Sequence, residues 1–135
     1  MNTILLDTGP LIAILDKRDK AHTRCVSFLK GFRGYLLITE PVLTESAYLL
    51  RSAKYFKTCI SLVSAGQIHI FPFNHKRLLR CVELMEKYEN IPMDLADASL
   101  VALAEEKKIN DIFSLDSDFT IYRIHGRLPF HVLPD

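Results

Sequence analysis

The sequence predicts an α/β fold in which a mostly parallel sheet is covered by helices on both sides. Five short apolar segments with strand character recur along the 135 residues, and segments with helical spacing lie between them. The strand segments are apolar on both faces, which is typical of strands buried between two helical layers. They are residues 3–6, 35–39, 68–71, 111–115 and 130–133.

Helix signals separate the first three strand segments. A helix is expected to begin near Leu11, and Asp19 is expected to cap a second helix whose apolar positions are spaced by three to four residues. Those positions are Ala21, Cys25, Phe28, Leu29 and Phe32. Pro41 fits the first turn of a helix that runs to about Ser52, and Gly66 is expected to end the helix after it.

Cap residues also mark the helices of the second half. Asn74 is expected to cap a helix with apolar residues at Leu78, Cys81, Val82 and Met85. Asp94 fits the cap of a helix that is apolar nearly all round, and Asp118 fits the cap of a further short helix. No internal repeat or low-complexity linker interrupts this alternation of strands and helices, which favours the parallel arrangement.

Length and composition favour one ordered domain spanning residues 1–135. Hydrophobic residues make up 49% and charged residues 24% of the chain, which excludes a disordered or fibrous protein. The apolar stretches are shorter than a membrane span and the N-terminus lacks signal-peptide features, so a cytoplasmic protein with no membrane association is expected. The net charge of +1 does not itself indicate nucleic-acid binding, although local clusters of Lys and Arg leave room for a phosphate-tracking face.

Neither the cysteines nor the histidines show the spacing of a metal site. Cys25, Cys59 and Cys81 are odd in number and widely spaced, which favours buried thiols in a reducing compartment over zinc ligands. The five histidines form no His-x-x-x-His pair and no Ser/His/Asp pattern. We interpret them as structural or surface residues.

Four acidic residues stand inside or directly after strongly apolar segments. They are Asp7, Glu45, Asp97 and Asp116. Burying an unpaired carboxylate costs several kcal/mol or forces it to protonate. Asp7 and Asp116 follow strand segments, and ligands of open parallel sheets bind beyond the carboxyl ends of the strands. We therefore expect these acids, although scattered in sequence, to converge in space.

Each acid taken alone also has a structural explanation. Asp7 fits the cap of the helix that follows it, and Glu45 fits a solvated helix edge. Asp116 lies in a turn-like sequence. Asp97 fits the first turn of its helix, where the helix dipole favours a carboxylate. That explanation is weaker for Asp97, because a helix that is apolar nearly all round offers little solvent to an idle charge.

Taken together, the four acids favour a divalent metal ion. Several carboxylates without nearby Cys or His are the ligands that Mg²⁺ or Mn²⁺ prefers over zinc. Mg²⁺ keeps several waters and is commonly completed by substrate phosphate. The expected chemistry is therefore phosphoryl transfer.

Four short motifs occur in order along the chain. They are the segments 5–13 (Leu-Leu-Asp-Thr-Gly-Pro-Leu-Ile-Ala), 44–45 (Thr-Glu), 94–98 (Asp-Leu-Ala-Asp-Ala) and 114–119 (Ser-Leu-Asp-Ser-Asp-Phe). In their order, spacing and total length the chain resembles PIN-domain ribonucleases, and among them the VapC-type toxins of bacterial toxin–antitoxin pairs. Ser114 departs from the family, which more often has Thr at this position, but it keeps the hydroxyl group.

This resemblance implies an α/β/α sandwich whose mostly parallel five-stranded sheet gathers the acids at one edge. It implies binding of Mg²⁺ or Mn²⁺ and endonucleolytic cleavage of RNA. By position, the residues implied as the catalytic and metal-binding quartet are Asp7, Glu45, Asp97 and Asp116. The residues implied in auxiliary roles are the acids Asp94 and Asp118 and the hydroxyl groups of Thr8 and Ser114.

The resemblance also implies a homodimer and a small cognate antitoxin protein that threads into a groove beside the site. Residues 47–63 carry more apolar and aromatic side chains than one buried helical stripe requires, which favours a partner or dimer surface in addition to core packing. The acidic residues do not identify the RNA, because RNA targets differ in shape recognition.

Two other functions stay open at the level of sequence. A phosphatase or receiver-like domain would use Asp7 as a phosphate acceptor, but it needs a second Asp two residues on, where this chain has Gly9, or a convergent Lys and Thr. An inactive PIN-fold binding module is expected to lose at least one costly carboxylate, and this chain retains all four.

Overall fold

A five-stranded sheet, parallel at every pairing, runs through the centre of the computed structural model, which describes residues 2–135. The strands of this sheet are β1 (Asn2–Leu6), β2 (Gly34–Thr39), β3 (Ile68–Phe71), β4 (Asp111–Phe113) and β7 (His131–Leu133). Their order is β3-β2-β1-β4-β7, so the first strand lies in the middle. The predicted α/β class and parallel sheet are confirmed.

Six helices occupy the connections between these strands. They are α1 (Thr8–Leu15), α2 (His22–Gly31), α3 (Glu40–Leu50), α4 (Ala53–Ser64), α5 (His75–Lys87) and α6 (Leu95–Lys107). The path steps from β1 to β2 to β3 in one direction and then returns past β1 to β4. Because parallel crossovers are right-handed, α1–α4 lie on one face and α5–α6 on the other, which gives the three predicted layers.

The core fills both sides of the central strands. Ile4, Leu5 and Leu6 are at most 1% exposed, because β1 has a neighbouring strand on each side and helices on each face. The ring of Phe28 in α2 meets that of Phe113 in β4 edge to face at 4.5 Å between centroids. All three cysteines are free and buried, as predicted.

Most predicted helix boundaries are confirmed, because the capping side chains bond the first free backbone N–H groups. Asn74 Oδ1 accepts from the backbone N–H of Arg77 at 2.9 Å, and Pro41 lies in the first turn of α3. The prediction for Asp19 is wrong. Its carboxylate accepts from Ala21 N at 2.8 Å in a turn before α2, and Ala21 occupies the N-cap position without a side-chain cap bond.

The end of the chain contains the short helix that the sequence predicted and a pair of strands that it did not indicate. A 3-10 helix, Ser117–Thr120, follows β4, and the strands β5 (Arg123–Ile124) and β6 (Leu128–Pro129) form an antiparallel pair. The strand β4 ends two residues before the predicted boundary at residue 115. Within residues 2–135, no helix is long and apolar enough to cross a membrane.

Candidate metal centre

Three of the predicted acids converge at the carboxyl edge of the sheet. Asp7 directly follows β1, Asp116 follows β4 after two residues, and Asp97 lies in the first turn of α6. The backbone N–H of Asp7 donates to the carbonyl of Phe113 at 3.0 Å, which joins the ends of β1 and β4. One carboxylate oxygen from each of the three acids lies within 4.8 Å of the others.

Asp7 is fixed by two donors. Its Oδ1 accepts from the Thr8 backbone N–H at 2.8 Å, so Asp7 caps α1 as well as facing the cluster. Its Oδ2 accepts from the Ser114 hydroxyl at 2.7 Å, and the Ser114 oxygen accepts from the backbone N–H of Asp116 at 3.0 Å. Burial, together with the charges of Asp116 and Glu45, raises the pKa of Asp7 to about 6, although the two hydrogen bonds act to lower it.

Asp97 is buried, with 8% of its surface exposed, whereas an ionised carboxylate is normally exposed to solvent. Its backbone N–H donates to Asp94 Oδ1 at 2.8 Å, which confirms Asp94 as the cap of α6. Its Oδ2 accepts from the Tyr122 hydroxyl at 2.9 Å. Burial raises the pKa of Asp97 to about 8, and the negative charges of Asp94 and Asp7 contribute to the increase.

Asp116 is more open to solvent than the other two acids. Its Oδ1 accepts from the backbone N–H of Asp118 at 2.9 Å, so Asp116 caps the 3-10 helix. The prediction that Asp118 provides this cap is therefore wrong by two residues, because the chain leaves β4 earlier than its apolar pattern indicates. The pKa of Asp118 is raised by partial burial and by the neighbouring Asp116 charge.

Within residues 2–135, no positively charged side chain forms an ion pair with this cluster. The ion pairs formed among residues 2–135 involve Asp16, Glu83, Glu105, Glu106, Asp111 and Asp135, and none of them includes Asp7, Asp97 or Asp116. Three mutually repelling carboxylates within 4.8 Å are stable in their ionised form only when a cation offsets their charge. Their hard oxygen donors fit Mg²⁺ or Mn²⁺.

The remaining predicted residues surround the cluster without joining it. Glu45 is half-buried in α3 and lines a cleft beside the site together with Thr44, Tyr48 and Asp94. The charge of Glu45 raises the pKa of Asp7. Glu45 does not belong to the group of acids whose carboxylate oxygens lie within 4.8 Å of one another. The hydroxyl of Thr8 is buried and has no hydrogen-bond partner within the described part of the chain.

Tyr122 is a residue of the site that no sequence motif predicted. Its side chain is fully buried and its hydroxyl group contacts a candidate metal ligand, yet the residue belongs to no recognisable motif. Buried tyrosines usually find a hydrogen-bond partner for the hydroxyl. A tyrosine within an apolar stretch so close to Asp116 was the one local signal that would have indicated a polar contact.

The sequence matches a protein-family model, and the structure matches solved structures. The PIN domain family model matches residues 4–124, so the chain belongs to the PIN domain family. No curated protein sequence matches the chain significantly.

Several solved structures share the fold. VapC20 of Mycobacterium tuberculosis, described as a toxin that cleaves the sarcin–ricin loop, superposes with a TM-score of 0.76 at 16% identity over 87% of this chain and 93% of that one. A toxin–antitoxin complex from Klebsiella pneumoniae gives a TM-score of 0.66 at 19% identity over 86% and 89% of the two chains. VapBC2 of Rickettsia felis, bound to a DNA fragment from its promoter, gives 0.63 at 18% identity over 97% and 98%.

Proposed function

We propose that this protein is an endoribonuclease that depends on Mg²⁺ or Mn²⁺ and serves as the toxin of a type II toxin–antitoxin pair. The observation that carries the proposal is the convergence of Asp7, Asp97 and Asp116 within 4.8 Å, with no ion pair to any of them from residues 2–135. Membership of the PIN domain family supports a nuclease. The shared fold of VapC20, a toxin that cleaves RNA of the sarcin–ricin loop, supports RNA as the substrate.

In this proposal Asp7, Asp97 and Asp116 hold the metal ion, and Glu45 is a fourth acid at the cleft beside them. A bound Mg²⁺ or Mn²⁺ would polarise the scissile phosphate and lower the pKa of an attacking water. Ser114 holds Asp7 in place through its hydroxyl group. Thr8 contributes a buried hydroxyl with no protein partner in residues 2–135, and Asp118 and Asp94 add negative charge at the rim.

The proposed partners follow from the structural relatives. Two of the solved structures contain toxin and antitoxin together, one of them with promoter DNA. We propose a small antitoxin as the inhibitor of this chain and a homodimer as its assembly, in the cytoplasm, where RNA is available. The exposed side chains of Tyr48 and Leu49 on α3, 68% and 50% accessible, support a partner surface beside the cleft.

RNA cleavage by the purified protein tests the proposal. We expect cleavage of total bacterial RNA, or of an oligonucleotide carrying the sarcin–ricin loop, with Mg²⁺ or Mn²⁺ and none with EDTA. Asp7→Asn and Asp97→Asn should each lower the rate by at least about 100-fold, because a ligand is removed from the centre. Glu86→Gln on the exposed face of α5 is the matched control and should cleave at the wild-type rate.

Two results would contradict the proposal. Cleavage that persists in EDTA would exclude the metal role, and full activity in both aspartate variants would exclude the site. A folded wild-type protein that binds Mn²⁺ but cleaves no RNA would favour an inactive PIN-fold binding module instead.

The phosphatase and receiver alternatives gain no support from the site. A receiver-like site needs a lysine that converges on the acceptor carboxylate, whereas no lysine in residues 2–135 forms an ion pair with Asp7. Comparing hydrolysis of a small phosphate ester with cleavage of RNA separates these chemistries directly.

A further inference from the structure

Tyr122 contacts a proposed metal ligand, although the proposed reaction gives this tyrosine no role. Its hydroxyl group donates to Asp97 Oδ2 at 2.9 Å. This is the one hydrogen bond that the Asp97 carboxylate receives from residues 2–135, whereas Asp7 receives two. The orientation of the Asp97 side chain therefore depends on a single phenol.

The phenol is held rigidly. Tyr122 is 0% exposed, and its ring packs edge to face against Tyr88 and Phe119, with centroid distances of 5.0 and 5.1 Å. Phe119 packs in the same way against Phe130 at 5.4 Å. Because this aromatic cluster fixes the position of the donor, rotation of the Asp97 carboxylate is restricted at the oxygen that accepts.

Tyr122 and Asp116 belong to one short segment. Asp116 caps the 3-10 helix, and the backbone N–H of Tyr122 donates to the carbonyl of Asp118 at 3.1 Å at its far end. The seven residues 116–122 therefore carry one acid of the cluster directly and orient a second through the phenol. A displacement of this segment changes the spacing of Asp116 and Asp97 together.

The hydroxyl group stays protonated under ordinary conditions. Burial and the adjacent Asp97 charge raise the pKa of Tyr122 well above its usual value, so the group acts as a donor across the neutral range. Residues that orient metal ligands in this way typically change metal affinity by 10- to 100-fold when they are removed.

We propose that Tyr122 is a positioning residue that orients the Asp97 carboxylate toward Asp7 and Asp116 for cation binding. The inference rests on the proposed metal-dependent function. It adds that the segment 116–122 contributes to the site twice, through Asp116 directly and through Tyr122 by way of Asp97. Tyr122 itself does not touch the metal or the substrate in this proposal.

Tyr122→Phe removes only the hydroxyl group and keeps the aromatic packing. A calorimetric titration with Mn²⁺ should show that Tyr122→Phe binds the ion about 10- to 100-fold more weakly than the wild type does. Tyr88→Phe is the matched control, because it removes the same atom from the ring that packs against Tyr122. Among residues 2–135 the Tyr88 hydroxyl has one hydrogen bond, which it accepts from the backbone N–H of Arg123 at 3.0 Å, and it makes none to Asp97. It should bind Mn²⁺ as the wild type does.

The dependence of RNA cleavage on Mn²⁺ concentration separates positioning from general damage. For Tyr122→Phe the Mn²⁺ concentration at half-maximal rate should rise about 10- to 100-fold, with the maximal rate recovering at saturating metal. A loss of folded protein would instead lower the rate at every Mn²⁺ concentration. Equal Mn²⁺ affinity in Tyr122→Phe and wild type overturns the inference, and so does equal weakening in Tyr88→Phe.

A measurement on the wild type covers the case in which Tyr122→Phe does not fold. In protein labelled at tyrosine with ¹³C, Mg²⁺ should shift the ring signals of Tyr122 more than those of Tyr88. The absence of such a shift, with Mg²⁺ bound, overturns the inference. Failure of the wild type to bind either ion overturns the proposed metal centre first, and the role of Tyr122 with it.

Discussion

Ser114 donates its hydroxyl hydrogen to Asp7 Oδ2 at 2.7 Å across 107 residues of sequence. The hydroxyl oxygen of Ser114 accepts from the backbone N–H of Asp116 at 3.0 Å, so one serine connects two acids of the cluster. Asp7 directly follows β1 and Ser114 directly follows β4, and these neighbouring strands are parallel. The hydrogen bond is thus a direct consequence of the order of strands in the sheet.

Removing the Ser114 hydroxyl should weaken metal binding. Ser114→Ala leaves Asp7 with the Thr8 backbone N–H as its remaining donor, and we expect Mn²⁺ affinity to fall about 10-fold or more, measured by calorimetry. Ser114→Thr keeps the hydroxyl and is the matched control, with an expected affinity close to wild type. Identical Mn²⁺ affinities in all three proteins would contradict this role.

The metal-free protein should lose stability as the pH rises. The pKa values of Asp7 and Asp97 are raised from 3.8 to about 6 and about 8, so between about pH 4 and pH 8 the folded state holds more protons than the unfolded state. The stabilising contribution of these protonated groups is complete below about pH 4 and is lost above about pH 8. Urea unfolding in EDTA at about pH 5 and about pH 8.5 measures the difference, and a higher free energy of unfolding at the alkaline pH would refute the prediction.

Asp97→Asn should stabilise the metal-free protein near pH 8. The variant keeps an acceptor for Tyr122 and removes a buried charge that is repelled by Asp94 and Asp7. We expect the free energy of unfolding to increase by about 1 kcal/mol or more, because one unit of pKa shift corresponds to about 1.4 kcal/mol. Urea unfolding in EDTA checks this.

The exposed variant Glu86→Gln is the control for that experiment and should leave the free energy of unfolding unchanged. In the presence of Mn²⁺ the order should reverse, since wild type gains stability from the ion and Asp97→Asn does not. A destabilised Asp97→Asn protein in EDTA would show that the carboxylate is not under electrostatic strain.

Arg80→Ala should destabilise the fold at a place remote from the metal centre. Arg80 forms two hydrogen bonds of 2.8 and 2.9 Å with Glu105, whose side chain is 7% exposed. Removing the guanidinium leaves this buried carboxylate with the backbone N–H of His125 as its partner. Because Arg80 itself is 39% exposed, we expect a loss of about 2 kcal/mol rather than the larger cost of a fully buried pair.

Arg18→Ala is the comparison for this pair. Its side chain is 76% exposed beside Asp16, and we expect a much smaller change in the free energy of unfolding than in Arg80→Ala, because solvent screens this ion pair. Urea unfolding of both variants provides the values, while Mn²⁺ affinity should stay at the wild-type level in each. Equal stability losses in Arg80→Ala and Arg18→Ala would rule out a special role for the buried carboxylate.

Gly34→Ala should disrupt the pairing of β1 and β2. Gly34 has φ +156°, and a Cβ atom there would lie 1.8 Å from the carbonyl oxygen of Asn2, so the backbone of one strand must move. We expect a loss of about 2 kcal/mol or more in urea unfolding. Gly31→Ala, where nothing lies within 4 Å of the added atom, should be neutral or stabilising by up to about 1 kcal/mol.

Much of the fold was predictable from local patterns. The strand β3 has the predicted bounds, and Asn74 and Asp94 cap the predicted helices. Two errors concern the capping residues: Asp19 forms a turn before α2, and Asp116 rather than Asp118 caps the 3-10 helix. Both placements depend on where the preceding element ends, which the local sequence specifies only approximately.

The sequence by itself determined which segments are buried as strands or helices, because periodic apolar residues must face a core. It also indicated that Asp7, Asp97 and Asp116 are costly acids at the ends of such segments. The tertiary structure decided their approach to within 4.8 Å of one another, the absence of an ion pair with them in residues 2–135, and the contact of Tyr122 with Asp97. These contacts join residues far apart in the chain. Strand order and side-chain packing determine them, and local sequence patterns do not specify either one.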